Sequence, residues 1–197
     1  GWLAISSISL VFFTQIDRIM LGLFLPSQFI GYYSAIISLI GGVSAFFAFG
    51  NVLLAAFTQL ESERIERGFK KVFKYIALVA IPATIGLAFV SVPVIKIIYG
   101  AAYVPIEYKL GILITCVILS LLILESSISI IFSSLFQSKD MPKIPAVLII
   151  VASIINIVLN YFLIKLGISI APQYGLAGAA AATLVSRYFN LFGLAIL

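Results

Sequence analysis

Two neighbouring residues of opposite charge, Asp17 and Arg18, lie inside an otherwise apolar stretch that runs from Trp2 to Leu25. Ionisable groups at membrane depth are costly, so they usually face a bundle interior or a water-filled cavity. Adjacent residues on a helix point about 100° apart, so the two need not pair with each other. We predict that both line a polar cavity, although Arg18 could instead reach the outer headgroups, about 10 Å away at 1.5 Å per residue.

Two further charges, Glu125 and Arg187, lie near the middle of apolar segments. A carboxyl at that depth is carried either protonated or ionised beside a cation. Glu125 is therefore our candidate coupling group, a site for a proton or cation, with a neutral carboxyl satisfied by helix contacts as the alternative. Arginine stays protonated and needs an acid, an anionic ligand or water, so Arg187 is predicted to line the cavity.

Asn156 and Asn160 are four residues apart and therefore share one helical face. Amides at that spacing can hold a neighbouring helix or bind sugar hydroxyls. If the polar faces converge, they form a wet lumen with cationic and amide groups. Such a lumen suits an anionic, hydroxyl-rich cargo such as a sugar on a lipid diphosphate, so we include both amides among the candidate substrate-binding residues.

Composition identifies an integral membrane protein. Hydrophobic residues make up 63% of the 197 residues, charged residues only 10%, and mean hydropathy is +1.25. The net charge of +5 is therefore interpreted as membrane topology, not as binding to nucleic acid. There is no histidine, and we expect no metal, no cofactor and no catalytic residues.

Apolar segments long enough to span a bilayer occur six times, which predicts an all-α membrane fold. The predicted spans are Trp2–Leu25, Gly31–Leu60, Ile76–Ile98, Leu110–Phe136, Pro145–Leu166 and Leu176–Leu197. Both chain ends fall within apolar sequence, so we expect the chain to be part of a longer protein.

Lysine and arginine concentrate in two connections between spans, Glu61–Tyr75 and Gln137–Ile144, which we place in the cytoplasm. The first of these also has the pattern of an amphipathic helix that would lie on the cytoplasmic leaflet, with its apolar face formed by Ile65, Phe69, Val72 and Phe73. A solvated charged loop between two helices is the alternative. Small residues at helical spacing predict close helix packing in the second span, from Ser34 to Ala48, and around Gly175 and Gly178.

Several motifs resemble the C-terminal half of the polysaccharide (O-antigen type) flippases. This family belongs to the superfamily of multidrug, oligosaccharidyl-lipid and polysaccharide exporters. The matching stretches are Ile16–Gly22, Ile30–Ala35, Ile98–Gly100 with Tyr103, and Tyr174–Ala180. The resemblance implies two six-helix lobes that work by alternating access, with residues 1–197 as the C-terminal lobe and the N-terminal lobe of the same protein as its partner.

The resemblance also implies a function and a location. The cargo would be an oligosaccharide on an undecaprenyl- or dolichyl-type carrier, moved from the cytoplasmic to the outer leaflet of the cell membrane for polysaccharide biosynthesis. A cation-coupled multidrug exporter of the same superfamily is the first alternative. A membrane-embedded glycosyl- or acyltransferase is more remote, because such an enzyme needs clustered acids or histidines at a membrane face. A purely structural membrane lobe is a further alternative.

Overall fold

The structure, a computed structural model, describes residues 15–47 and 62–197, and side chains are described outside 62–66. Within these ranges the chain is helical and contains no β-strand. The predictions for residues 2–14 and 48–61, including parts of the first two spans, lie outside the described residues. The helices are α1 (residues 15–24), α2 (Ser27–Ala45), α3 (Ser62–Tyr99), α4 (Lys109–Ser138), α5 (Lys143–Ile170) and α6 (Tyr174–Ile196).

Five of these helices, α2 to α6, are long and apolar enough to cross a membrane. The prediction of an all-α membrane protein is therefore confirmed. Two single-turn 3-10 helices, Ala101–Tyr103 and Ile106–Tyr108, connect α3 to α4. The other described connections are short, so α1 with α2 and α5 with α6 form helical hairpins.

The first hairpin turns more sharply than the sequence predicts. Only residues 25 and 26 separate α1 from α2, and α2 begins at Ser27, four residues before the predicted span. Proline lacks a backbone N–H and cannot continue the preceding helix, yet its fixed φ suits a helix start. Pro26 therefore ends one helix and begins the next.

The predicted surface helix is instead continuous with the third span. Both form the 38-residue helix α3, which includes Pro82 and Pro93 and is about 57 Å long at 1.5 Å per residue. Its apolar residues Phe69, Phe73 and neighbours pack against Ile131 of α4, and the rings of Phe69 and Phe132 lie 5.2 Å apart. The described part of the predicted face thus packs against α4, which does not support its lying on the leaflet. The side chain of Ile65 lies outside the described residues.

Several polar side chains are buried inside the bundle, and many large apolar ones lie on its exterior in addition to those in the core. Asp17, Glu125, Asn156 and Asn160 are all buried, whereas α3 exposes residues such as Phe89. This distribution fits a bundle surrounded by lipid, since lipid tails solvate apolar side chains and buried polar groups must find partners inside the protein.

The hairpin of α5 and α6 depends on glycine. A Cβ atom at Gly178 would lie 2.2 Å from the carbonyl oxygen of Leu163, and one at Gly167 would lie 2.2 Å from that of Tyr174. The predicted close packing around Gly178 is therefore confirmed. In α2, by contrast, a Cβ at Gly41 or Gly42 meets nothing within 4 Å in the part of the chain that the structure describes.

We expect Gly178→Ala to lower the stability of the protein, because the new methyl group forces the backbones of α5 and α6 apart. Overpacking of this kind costs about 1–3 kcal/mol. Thermal unfolding of the purified protein in detergent checks this, with Gly86→Ala as the matched control. Gly86 lies in α3 with nothing within 4 Å of its Cβ position, so this control should not unfold earlier. Equal melting temperatures for both variants would contradict the close approach.

Candidate functional site

The carboxylate of Asp17 accepts hydrogen bonds from three other helices. Tyr33 of α2 donates to Oδ2 at 2.8 Å, and Thr183 of α6 donates to the same oxygen at 2.5 Å. On α5, the amide nitrogens of Asn160 and Asn156 donate to Oδ1 at 2.9 and 3.5 Å. We call these five residues the Asp17 cluster.

The two hairpins explain how these side chains meet. Asp17 lies nine residues before Pro26, and Tyr33 lies seven residues after it, so an antiparallel turn at Pro26 places both at a similar depth. The second hairpin does the same, because Asn160 lies eleven residues before the connection at 171–173 and Thr183 lies ten residues after it. The distance of each residue from its turn therefore determines which side chains meet in the cluster.

The predicted amide face is part of this cluster. The amide nitrogen of Asn160 also donates to Oδ1 of Asn156 at 3.0 Å, and that of Asn156 donates to the Thr183 hydroxyl at 3.2 Å. Both amides thus hold α1 and α6 against α5, one of the two uses that their spacing allows. Contact of Asn156 or Asn160 with a sugar stays a prediction.

The cluster also contains the oxygen atoms that hard cations prefer: a carboxylate, two amide carbonyls and two hydroxyls. As the side chains are arranged here, however, the amide nitrogens face Asp17. The amides therefore act as hydrogen-bond donors to a carboxylate and would have to rotate to present their oxygens to a metal ion.

A partly open cavity of about 190 Å³ lies beside the cluster. It brings together three of the predicted charges, Asp17, Glu125 and Arg187, from three different helices. Thr183 also contributes to the wall. The remaining lining residues are Ile37, Ile40, Gly41, Ser44, Leu122 and Ser126.

Glu125 is fully buried in α4, and its two oxygen atoms have different surroundings. The Ser129 hydroxyl, one turn along α4, donates to Oε1 at 2.6 Å. The other oxygen, Oε2, has no hydrogen-bond partner among the described residues. The guanidinium of Arg187, which lines the same cavity, interacts electrostatically with this carboxyl.

Arg18 is not among the residues that line this cavity. It is half-buried, and its Nη1 atom donates to Oε1 of Gln15 at 3.0 Å on the exposed side of α1. The rotation of about 100° between adjacent residues turns Asp17 into the cluster and leaves Arg18 at its edge, where its charge still acts on Tyr33. A cavity role for Arg18 stays a prediction, and this geometry does not support it.

Sequence reasoning missed Tyr33 and Thr183 as partners of Asp17, and Ser44 and Ser126 as cavity residues. The first two could have been found by counting outward from each turn, because equal distances along a hairpin predict equal depth. The two serines carry no such signal, since their contribution depends on how α2 packs against α4.

We expect Asp17→Ala to destabilise the protein, because it leaves three or four buried donors without an acceptor. Each unsatisfied buried group costs about 1–3 kcal/mol. Asp17→Asn should be intermediate, since it keeps the side-chain shape and one acceptor. Thermal unfolding in detergent measures the effect, and Arg18→Gln serves as the control at the adjacent position. If Asp17→Ala unfolded no earlier than Arg18→Gln, the cluster would not hold the helices together.

Comparison with known proteins yields one family and one curated relative. A model of the family described as "Polysaccharide biosynthesis protein" matches residues 1–107, which is more than half of the chain. The chain is 27% identical over 192 residues to the probable low-salt glycan biosynthesis flippase Agl15 of Haloferax volcanii. That alignment covers 94% of this chain and 38% of the relative's length. No solved structure matches.

The family match and the membrane helices agree with each other. A buried cluster of polar side chains within apolar helices is an arrangement that membrane transporters use. The chain belongs to the family of polysaccharide biosynthesis proteins and is a multi-pass membrane protein.

Proposed function

We propose that this chain is part of a flippase that moves a lipid-linked oligosaccharide from the cytoplasmic to the outer leaflet of the cell membrane. The family and the name of the relative support a role in glycan assembly. The observation that carries the proposal is the cavity between α1, α2, α4 and α6, where Arg187 lies beside two carboxyl groups at membrane depth. A cation in such a position suits an anionic headgroup.

The cavity suits one part of the cargo, its diphosphate headgroup. A guanidinium binds phosphate oxygens with two parallel hydrogen bonds, so Arg187 is the group for the diphosphate. The Ser44 and Ser126 hydroxyls, which line the same cavity, can exchange hydrogen bonds with phosphate or with the first sugar. At about 190 Å³ the cavity accommodates a headgroup, and the rest of the oligosaccharide must lie outside it.

We further propose that residues 1–197 form one six-helix lobe and that an N-terminal lobe of the same protein completes the cargo site. The chain spans 38% of its curated relative, which leaves room there for a second lobe. In this arrangement each lobe supplies part of the cavity wall, and alternating access exposes the cargo to one leaflet at a time. The protein is then a transporter and not an enzyme.

A cation-coupled multidrug exporter is the second candidate. The observation in its favour is that the cavity holds two buried carboxyl groups, Asp17 and Glu125, which suit a cationic compound or a coupling ion. The drug-resistance profile of a deletion strain separates the two functions. Loss of surface polysaccharide with unchanged drug sensitivity supports the flippase.

We expect Arg187→Gln to reduce flipping at least about tenfold, since loss of a charged partner to a phosphate costs roughly 1.5–3 kcal/mol. The assay follows a fluorescent lipid-linked oligosaccharide in proteoliposomes that contain the full-length protein. Lys165→Gln is the matched control, because Lys165 is an exposed cation that bonds to the Tyr161 hydroxyl outside the cavity.

The same assay decides the role of Arg18. We expect Arg18→Gln to flip close to the wild-type rate, because Arg18 does not line the cavity. Flipping that survives Arg187→Gln but is lost in Arg18→Gln would move the cargo site to the other side of α1. Absence of flipping by folded wild-type protein would refute the flippase.

A further inference from the structure

The three charges of the cavity do not have equivalent surroundings. The carboxylate of Asp17 is satisfied by donors on α2, α5 and α6. It therefore needs no cation. Glu125 has a single hydroxyl donor, on its own helix, and its oxygen Oε2 has no hydrogen-bond partner among the described residues. Glu125 is thus the acid that depends on Arg187 when it is ionised.

An anionic cargo and Glu125 would compete for the same cation. Arg187 lines the cavity together with Glu125, so a phosphate group bound there lies close to the carboxyl. Two anions facing one guanidinium in a low-dielectric site repel each other strongly. The repulsion disappears if one of the anions takes up a proton, and a carboxyl group with a spare oxygen can do so in place.

We propose that Arg187 exchanges its counter-ion during transport: the anionic diphosphate of the cargo replaces Glu125 at the guanidinium, and Glu125 takes up one proton from water in the cavity. This inference rests on the proposed function and adds a proton to its cargo site. The step forms an O–H bond at Glu125 and breaks one in a hydronium ion or water. No other covalent bond changes.

Few other titratable groups face Glu125 in the part of the chain that the structure describes. From α6 come Arg187 and Tyr188, whose hydroxyl donates to the carbonyl oxygen of Leu121 at 3.3 Å. From α1 comes Asp17, and Tyr33 of α2 is already bonded to it. The charged residues of α3 and α5 whose side chains are described do not line the cavity: Arg67, Lys70, Lys71, Lys74, Lys96, Lys143 and Lys165.

The exchange makes anion binding and proton uptake favour each other. By linkage, if binding adds one proton, the affinity for the anion falls as the pH rises, by at most about tenfold per pH unit. Glu125→Gln mimics the protonated acid. Its affinity should equal the wild-type value at low pH and stay there as the pH rises.

The experiment measures binding of a polyprenyl diphosphate that carries a single sugar to full-length protein in phosphatidylcholine nanodiscs, between pH 6 and pH 8.5. With the sugar attached, the diphosphate has no terminal phosphate that titrates in this range. The uncharged polyprenol is the ligand control, and titration calorimetry in buffers of different ionisation enthalpy counts the protons taken up. Glu107→Gln is the matched acid control, because Glu107 lies in the connection before α4 and does not line the cavity. We expect this control to keep the pH dependence and Glu125→Gln to lose it.

Three results would overturn the exchange: wild-type affinity that does not change with pH, binding without proton uptake, or a pH dependence that persists in Glu125→Gln. Wild-type protein that does not bind the diphosphate would overturn it as well. Flipping measured with the same purified protein in proteoliposomes separates the exchange from the flippase. Flipping with pH-independent binding removes the proton exchange and keeps the flippase, whereas absence of flipping removes both.

Discussion

The carboxylate of Asp17 and the donors around it hold four of the described helices, α1, α2, α5 and α6, in register. Asp17 is almost fully buried, so its carboxylate depends on donors from the protein itself. Tyr33, Asn160 and Thr183 come from three different helices, and each has to reach the same two oxygen atoms. This requirement fixes how far each helix can slide or rotate against α1, since any shift leaves a buried polar group unpaired.

The rest of the site depends on this register. Close approach of α5 and α6 at Gly178 allows Asn156 and Thr183 to bond across the hairpin. Thr183 and Arg187 are one turn apart, so the helix that completes the cluster also directs Arg187 to the cavity. The cluster positions the cavity wall, and the cavity contains the groups that can bind an ion or a headgroup.

Hydropathy predicted the membrane helices because lipid requires long apolar runs, and the depth of Asp17, Glu125 and Arg187 could be read from the same runs. The partners of these groups could not be predicted in this way. Packing between distant segments sets how each helix is rotated and which helices it contacts. Arg18 shows the limit: the sequence places it next to Asp17, and helical rotation separates their environments. The continuity of α3 was missed because its basic first turns look like a loop or surface helix until Ile131 of α4 supplies a partner.

The two buried acids, Asp17 and Glu125, differ in how many of their oxygens have hydrogen-bond partners, and this difference suits them to different roles. A buried carboxyl group whose two oxygens both have partners, such as Asp17, is suited to hold a structure together. A buried carboxyl with one spare oxygen, such as Glu125, has a second arrangement available to it. Unsatisfied buried polar groups are rare in proteins, so each one requires an explanation. A transport cycle needs a group that can change its partner, and Glu125 beside Arg187 is such a group.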